Sequence, residues 1–146
     1  MDPHTWTIEW NDGMSVAIPE IDEDHKRFIL LIDNLNRAIA DRMELGEIKR
    51  RLQLICDDAV QHFAHEEQLF AQWQYPDAQT HAGKHAHILK TLVAIQERSI
   101  NYDLPLEWIT VSMEVKDLLI DHLMTEDMKY AEYVRNSRKR SSERPA

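Results

Sequence analysis

The sequence predicts an all-α protein, an antiparallel up-down-up-down four-helix bundle preceded by an irregular N-terminal arm. Three observations carry this expectation. Apolar residues recur in steps of four and three along four segments, the period of a helix that buries one face. Only 3 Gly and 5 Pro occur in 146 residues, so turns are few and the regular elements are long. No alternation of apolar and polar residues is long enough to read as a strand.

Taken in order, residues 1–18 hold Trp6, Trp10, Val16 and Ile18 without helical period, which reads as an arm whose aromatics pack on the bundle. The first segment is entered through Pro19, in the early-turn position that proline tolerates, and its inward series is Ile21, His25, Phe28, Ile32, Leu35 and Ile39. After a break at residues 42–46, the second gives Ile48, Leu52, Ile55, Ala59, His62, Glu66, Leu69 and Trp73. A break at residues 74–77 leads to the third, with Ala78, His81, His85, Ile88, Leu92 and Ile95. Beyond residues 100–105 the fourth runs through Trp108, Val111, Val115, Leu118 or Leu119, and His122. Connections this short join antiparallel neighbours. Residues 135–146 carry five basic side chains and one acidic one without apolar content, and read as a disordered tail. The expected organisation is one domain over residues 1–134, with the arm at 1–18 and the bundle at 19–134, followed by that tail.

Composition narrows the function. A chain of this size holds one domain with a proper core. Its 17 Lys and Arg stand against 26 Asp and Glu, a net charge of −9 that disfavours nucleic acid as a partner. The tail carries +4 of formal charge, which leaves −13 on residues 1–134. Such a tail suits an anionic membrane surface or an acidic partner, a plain solvated terminus being the alternative. Mean hydropathy is −0.53, and no apolar run approaches the ~18 residues of a membrane span. Met1-Asp2-Pro3-His4 does not open a secretory signal, so the expectation is a cytoplasmic protein, read as a monomer. Cys56 is the sole cysteine, which excludes an internal disulfide, a thiolate zinc cluster and an iron-sulfur centre. It reads as a small residue at the edge of the core.

Of eight histidines, five fall on the apolar stripes, accompanied by one glutamate: His25, His62 with Glu66, His81, His85 and His122. A lone core histidine is satisfied by a hydrogen bond, but six polar groups on facing stripes point to a shared cation. His62 and Glu66, like His81 and His85, are four residues apart, so both members of each pair can reach one ion. Imidazole and carboxylate donors without thiolate favour iron, manganese or zinc. Near His122 the acidic candidates are Glu126, four residues on, and Asp127, five on and roughly 140° round the helix. Periodicity alone chooses Glu126. His4, His65 and His87 lie off the stripes and are expected to face solvent.

Trp10-Asn11-Asp12, Ile21-Asp22-Glu23-Asp24-His25-Lys26, His62-Phe63-Ala64-His65-Glu66-Glu67, Tyr75-Pro76, His81-Ala82-Gly83-Lys84-His85 and the run from His122 to Asp127 stand in the order and at the spacing of one known family. From about residue 8 to residue 133 the chain resembles the bacterial single-domain hemerythrins, or bacteriohemerythrins. All seven metal-ligand positions of that family are filled. The resemblance places the second bridging carboxylate at Asp127 and leaves Glu126 as a solvated neighbour.

The resemblance implies a non-haem di-iron centre, Fe2+ or Fe3+ with an oxo or hydroxo bridge, that binds dioxygen reversibly for storage, delivery or sensing. His81, His85 and His122 would then hold one iron and His25 and His62 the other, with Glu66 and Asp127 bridging both. Counting the bridge, the first iron has six ligands and the second five, so the second keeps an open position for dioxygen. By motif position Phe28, Phe63, Leu119 and Leu123 would line the oxygen pocket, ordinary core packing being their other reading. Glu67 and Tyr130 would support the ligands from behind. Leu118 departs from a tryptophan common in the family, and Gln74 from a glycine often found before the Tyr-Pro. Dioxygen is the implied partner, with an oxygen-consuming enzyme as recipient. The alternative is a di-iron redox enzyme acting on peroxide, nitric oxide or ferrous iron; a structural zinc protein is a further rival.

Overall fold

The computed structural model describes residues 8–143, with side chains described as far as residue 140. Four helices account for most of it: α1 (Pro19–Ala40), α2 (Leu45–Trp73), α3 (Ala78–Arg98) and α4 (Pro105–Glu143). The main packing pairs are α1 with α2, α2 with α3, α3 with α4 and α4 with α1, a ring in chain order closed by the first and last helices. Joined by short connections, they form the up-down-up-down bundle. Among the described residues there is no strand, and no helix is long and apolar enough to cross a membrane.

Local chemistry explains the boundaries. Pro19 begins α1, and Glu20 and Asp22 place negative charge in its first turn, where the helix dipole favours it. α1 and α2 end alike: Met43 N–H bonds Ala38 O and Tyr75 N–H bonds Phe70 O, each spanning a left-handed residue, Arg42 at φ 54° and Gln74 at φ 53°. Glycine is the usual residue at such positions, so each connection holds a side chain in strained backbone. Gln74 thus stands where the family often has glycine and still makes the same turn. In α4 the Glu107 carboxylate reaches back to Leu104 N–H at 3.1 Å, half of a capping box just before Pro105.

The four stripes are buried as their periods require, Leu119 rather than Leu118 carrying the fourth inward. Ala78 and Trp73, at the α2–α3 end, are partly exposed. One large apolar cluster fills the bundle toward the α1–α2 and α3–α4 connections, around Leu35, Ile55, Leu92, Trp108, Val111 and Val115. A second, around Ile21, Leu69, Phe70, Tyr75, Tyr130 and Val134, closes the opposite end. The arm is tied down at both ends of its described part. Trp10 packs on the Met14, Ile29 and Leu123 cluster with Lys26 Nζ 5.5 Å from its ring centre, and Asp22 bonds Ser15 Oγ at 2.5 Å and Val16 N–H at 2.9 Å. A short 3-10 turn over Asp12–Met14 interrupts it. Trp6 and His4 lie outside the described residues.

The fourth helix corrects the expected tail. α4 continues without a break to Glu143, so the residues read as disordered from 135 onward are helical that far. Val134 is buried, Tyr133 Oη donates to Trp73 O at 3.0 Å, and no proline interrupts the helix before Pro145. Basic side chains near a helix C-terminus also complement its dipole. Residues 144–146 lie outside the described part.

Candidate metal centre

Between the two apolar clusters the stripes turn polar. His25 on α1, His62 and Glu66 on α2, His81 and His85 on α3, and His122 and Asp127 on α4 all point inward and are buried. They form two groups, Glu66, His81, His85, His122 and Asp127 in one, and His25, His62, Glu66 and Asp127 in the other, with ligand atoms in each group within 4.8 Å of one another. The carboxylates belong to both. Glu66 Oε1 lies 3.1 Å from His85 Nε2, while its Oε2 lies 3.6 Å from His25 Nε2 and 3.5 Å from His62 Nε2. Asp127 Oδ1 lies 3.1 Å from the Nε2 atoms of His81 and His122, and its Oδ2 lies 3.2 Å from His25 Nε2. Each carboxylate therefore turns one oxygen to each histidine group.

Asp127, and not Glu126, enters this site. The helix is unbroken from His122 to Asp127, so side-chain reach closes the 140° between them. Helical side chains lean toward the N-terminus, which tips the Asp127 carboxylate back onto the turn of His122. Glu126 faces outward to Lys84 at 2.7 Å and Lys129 at 3.1 Å.

The donor atoms themselves test whether cations fit. Glu66 Oε1, His81 Nε2, His85 Nε2, His122 Nε2 and Asp127 Oδ1 are buried and make no hydrogen bond. Orphaned buried polar atoms are rare because each carries a desolvation cost without return. Five of them converging on one point form the inner surface of a cation site, and a nitrogen and oxygen set suits iron, manganese or zinc. Burial alone would depress His62, but Glu66 and Asp24 reverse this and lift it to about 10. Burial alone would raise Glu66, yet His62, His25 and His85 hold it well below the ordinary carboxylate range.

Supporting groups stand behind the donors. His85 Nδ1 lies 3.1 Å from Glu67 Oε2, and Tyr130 Oη donates to Glu66 Oε2 at 2.5 Å. His62 Nδ1 lies 3.1 Å from Asp24 Oδ2, a residue whose part the sequence reading missed although it adjoins His25. His65 is not simply solvent-facing: its side chain is 32% exposed and its Nδ1 approaches the same Asp24 oxygen at 2.6 Å. Burial would raise Asp24, but these two histidines bring it down to about 2. His87 is exposed. Cys56 is buried, which pushes its thiol up to about 11.

A small cavity of about 10 Å³, close to the space of one water-sized molecule, is lined by His25 and His62 of the two-histidine group, by His122 of the other and by the shared Asp127. Phe28, Phe63, Leu119 and Leu123 line it, with Ile32 and Ile120 in addition. Leu118 does not; it packs partly buried against the large apolar cluster, so its departure from the family residue lies outside this wall.

Comparisons with known proteins agree with the architecture. The family profile described as hemerythrin HHE cation binding domain matches residues 16–134. The chain is 27% identical over 131 residues to a bacteriohemerythrin of Stenotrophomonas maltophilia, covering 88% of this chain and 82% of that one. It is 27% identical over 123 residues to a hemerythrin-like protein of Naegleria gruberi, with 84% and 90% covered. A myohemerythrin of Theromyzon tessulatum is 25% identical over 122 residues, with 84% and 89% covered. With a bundle built around two carboxylate-sharing histidine groups and a profile match over most of its length, the chain belongs to the hemerythrin HHE cation-binding domain family.

Proposed function

We propose that this protein binds dioxygen reversibly at a non-haem di-iron centre, as a carrier and not an enzyme. The observation that carries the reading is the pair of shared carboxylates, each with one oxygen toward each histidine group. In this reading His81, His85 and His122 would hold one iron, His25 and His62 the other, and Glu66 and Asp127 would serve both. When bound, the two irons supply the electrons that dioxygen takes up on binding and returns on release.

The remaining work belongs to the chain. The unequal histidine count leaves the two-histidine position with fewer protein donors, and both of its histidines line the cavity, together with His122 and the shared Asp127. Phe28, Phe63, Leu119 and Leu123 keep water and proton donors away from the bound gas, which favours its return over its loss as a reduced species. Tyr130 donates to Glu66 and Glu67 holds His85, so these two ligands keep their orientation in either state of the centre. The working unit is the domain over residues 1–134, acting as a monomer in the cytoplasm and passing oxygen to an oxygen-consuming enzyme.

The test is optical. Iron-loaded protein, reduced without air, should develop a visible charge-transfer band when oxygen is admitted and lose it when oxygen is removed, over repeated cycles. Consumption of many equivalents of peroxide, nitric oxide or ferrous iron without a reversible band would replace this reading with an enzymatic one. Protein expressed with iron supplied that contains only zinc would replace it with a structural one.

A further inference from the structure

The two histidine groups are supported unequally from behind. In the three-histidine group, His85 is backed by Glu67, a side chain 42% exposed. In the two-histidine group, His25 Nδ1 is buried without a hydrogen-bond partner, so the outer anchor falls on His62 alone. That anchor is Asp24. Its Oδ2 takes His62 Nδ1 at 3.1 Å and His65 Nδ1 at 2.6 Å, while its Oδ1 lies 3.4 Å from Arg27 NH2. Arg27 Nε in turn bonds Asp58 Oδ1 at 2.7 Å, and His65 Nε2 lies 3.4 Å from Glu20 Oε2 on the solvent side.

The helices explain why this cluster forms. One residue along α1 is a turn of about 100°, so His25 enters the site while Asp24 lies on the flank toward α2. Asp58, His62 and His65 are spaced four and three along α2 and share the face that meets it. The carboxylate is thus gripped from α2 by two imidazoles and from its own helix by a guanidinium, and it has little freedom to turn away. An imidazole whose Nδ1 carries the proton and donates it to a fixed carboxylate has its tautomer and ring plane set, and its Nε2 lone pair is left for a metal.

We propose that Asp24, locked in place by His65, is the positioning residue that holds His62 ready to ligate the metal of the two-histidine group. The proposal rests on the di-iron reading above. It makes iron retention at that position depend on a carboxylate outside the ligand set, while the three-histidine position is independent of it.

The experiment uses the iron-loaded full chain and compares Asp24→Ala, Asp24→Asn, His65→Gln and Arg27→Gln. It follows iron per chain, release into a chelator, and the hyperfine-shifted ring N–H signals of bound histidine. Asp24→Ala should release one iron roughly 10- to 100-fold faster than wild type and lose one ring N–H signal, with the other iron unchanged. Asp24→Asn keeps an acceptor oxygen and should recover part of the retention. His65→Gln should fall between wild type and Asp24→Ala. Arg27→Gln breaks the tie to Asp58 and the longer contact with Asp24 but keeps both imidazole contacts of Asp24, so it should speed release less than His65→Gln does. Equal acceleration in Arg27→Gln and Asp24→Ala would mean that Asp24 only ties two helices, and would overturn the proposal, as would unchanged release in Asp24→Ala and Asp24→Asn. If Asp24→Ala does not fold by circular dichroism, the Asp24→Asn and His65→Gln rates decide. Wild type that fails to hold a pair of irons overturns the di-iron reading and this proposal together; a pair held equally well by every variant overturns this proposal alone.

Discussion

Two regions of the same bundle obey one periodicity and have opposite requirements. Around Leu35, Ile55, Leu92 and Val111 the stripes are apolar and the interior is complete by itself. Two of its polar groups find partners within the chain: Ser112 Oγ donates to Asn36 Oδ1, and Trp108 Nε1 donates to Tyr102 O. About two or more turns away, the stripes carry His25, His62, Glu66, His81, His85, His122 and Asp127, equally inward and equally buried. There five donor atoms face one another and make no hydrogen bond. Burial is shared by both regions, but only the second presents a converging set of donor atoms that could hold a cation. The apolar region contributes through area and close packing, and the polar one would convert metal affinity into stability.

The largest effect expected is at a carboxylate shared by both groups. Asp127→Ala should lose iron from both positions, seen by metal analysis of the purified protein, and with it the stabilisation that binding supplies. That stabilisation is about 4 kcal/mol when free iron stands a thousandfold above its dissociation constant. Retention of both irons in this variant would break the comparison at its centre.

Ile55→Ala, in the apolar region, should cost about 2–5 kcal/mol in denaturant unfolding, since Ile55 is fully buried and leaves a cavity. Its iron content should equal that of wild type; loss of iron there would show that the two regions are energetically one. The smallest effect is expected one residue from Asp127. Glu126→Ala removes partly exposed ion pairs with Lys84 and Lys129 and should cost at most about 1 kcal/mol with iron unchanged. Lys84 chiefly holds the Glu126 carboxyl below its ordinary 4.5. Its contribution is therefore full above that pH and fades as acid takes it lower, and stability of the two proteins measured down the acid limb should converge.

Much of the bundle was legible because helical period is a local property. Steps of four and three along α2 identify Ile48, Leu52, Ile55, Ala59, His62, Glu66 and Leu69 as inward without reference to any other helix. The same logic found five histidines and a glutamate whose burial demanded a partner. It failed where orientation depends on more than sequence distance. Glu126 has the better period, yet the lean of helical side chains brings Asp127 to His122 and leaves Glu126 to Lys84. It passed over Asp24 and His65 because their meeting is across α1 and α2, off both stripes. It stopped the fourth helix too early, because a basic run without apolar residues lacks a reason to pack but not the capacity to continue a helix already begun.

By itself, then, the sequence determined which faces turn inward, where the helices break, and that the donors are nitrogen and oxygen with no thiolate among them. The tertiary structure alone decided which oxygen of Glu66 and of Asp127 meets which histidine group, that His62 and not His25 has a carboxylate behind it, and that a small cavity reaches both histidines of the two-histidine group and only His122 of the other. The reason is geometric. A helix repeats every 3.6 residues whatever surrounds it, but the height and rotation at which four helices bring their donors to one point are set by how their apolar faces pack.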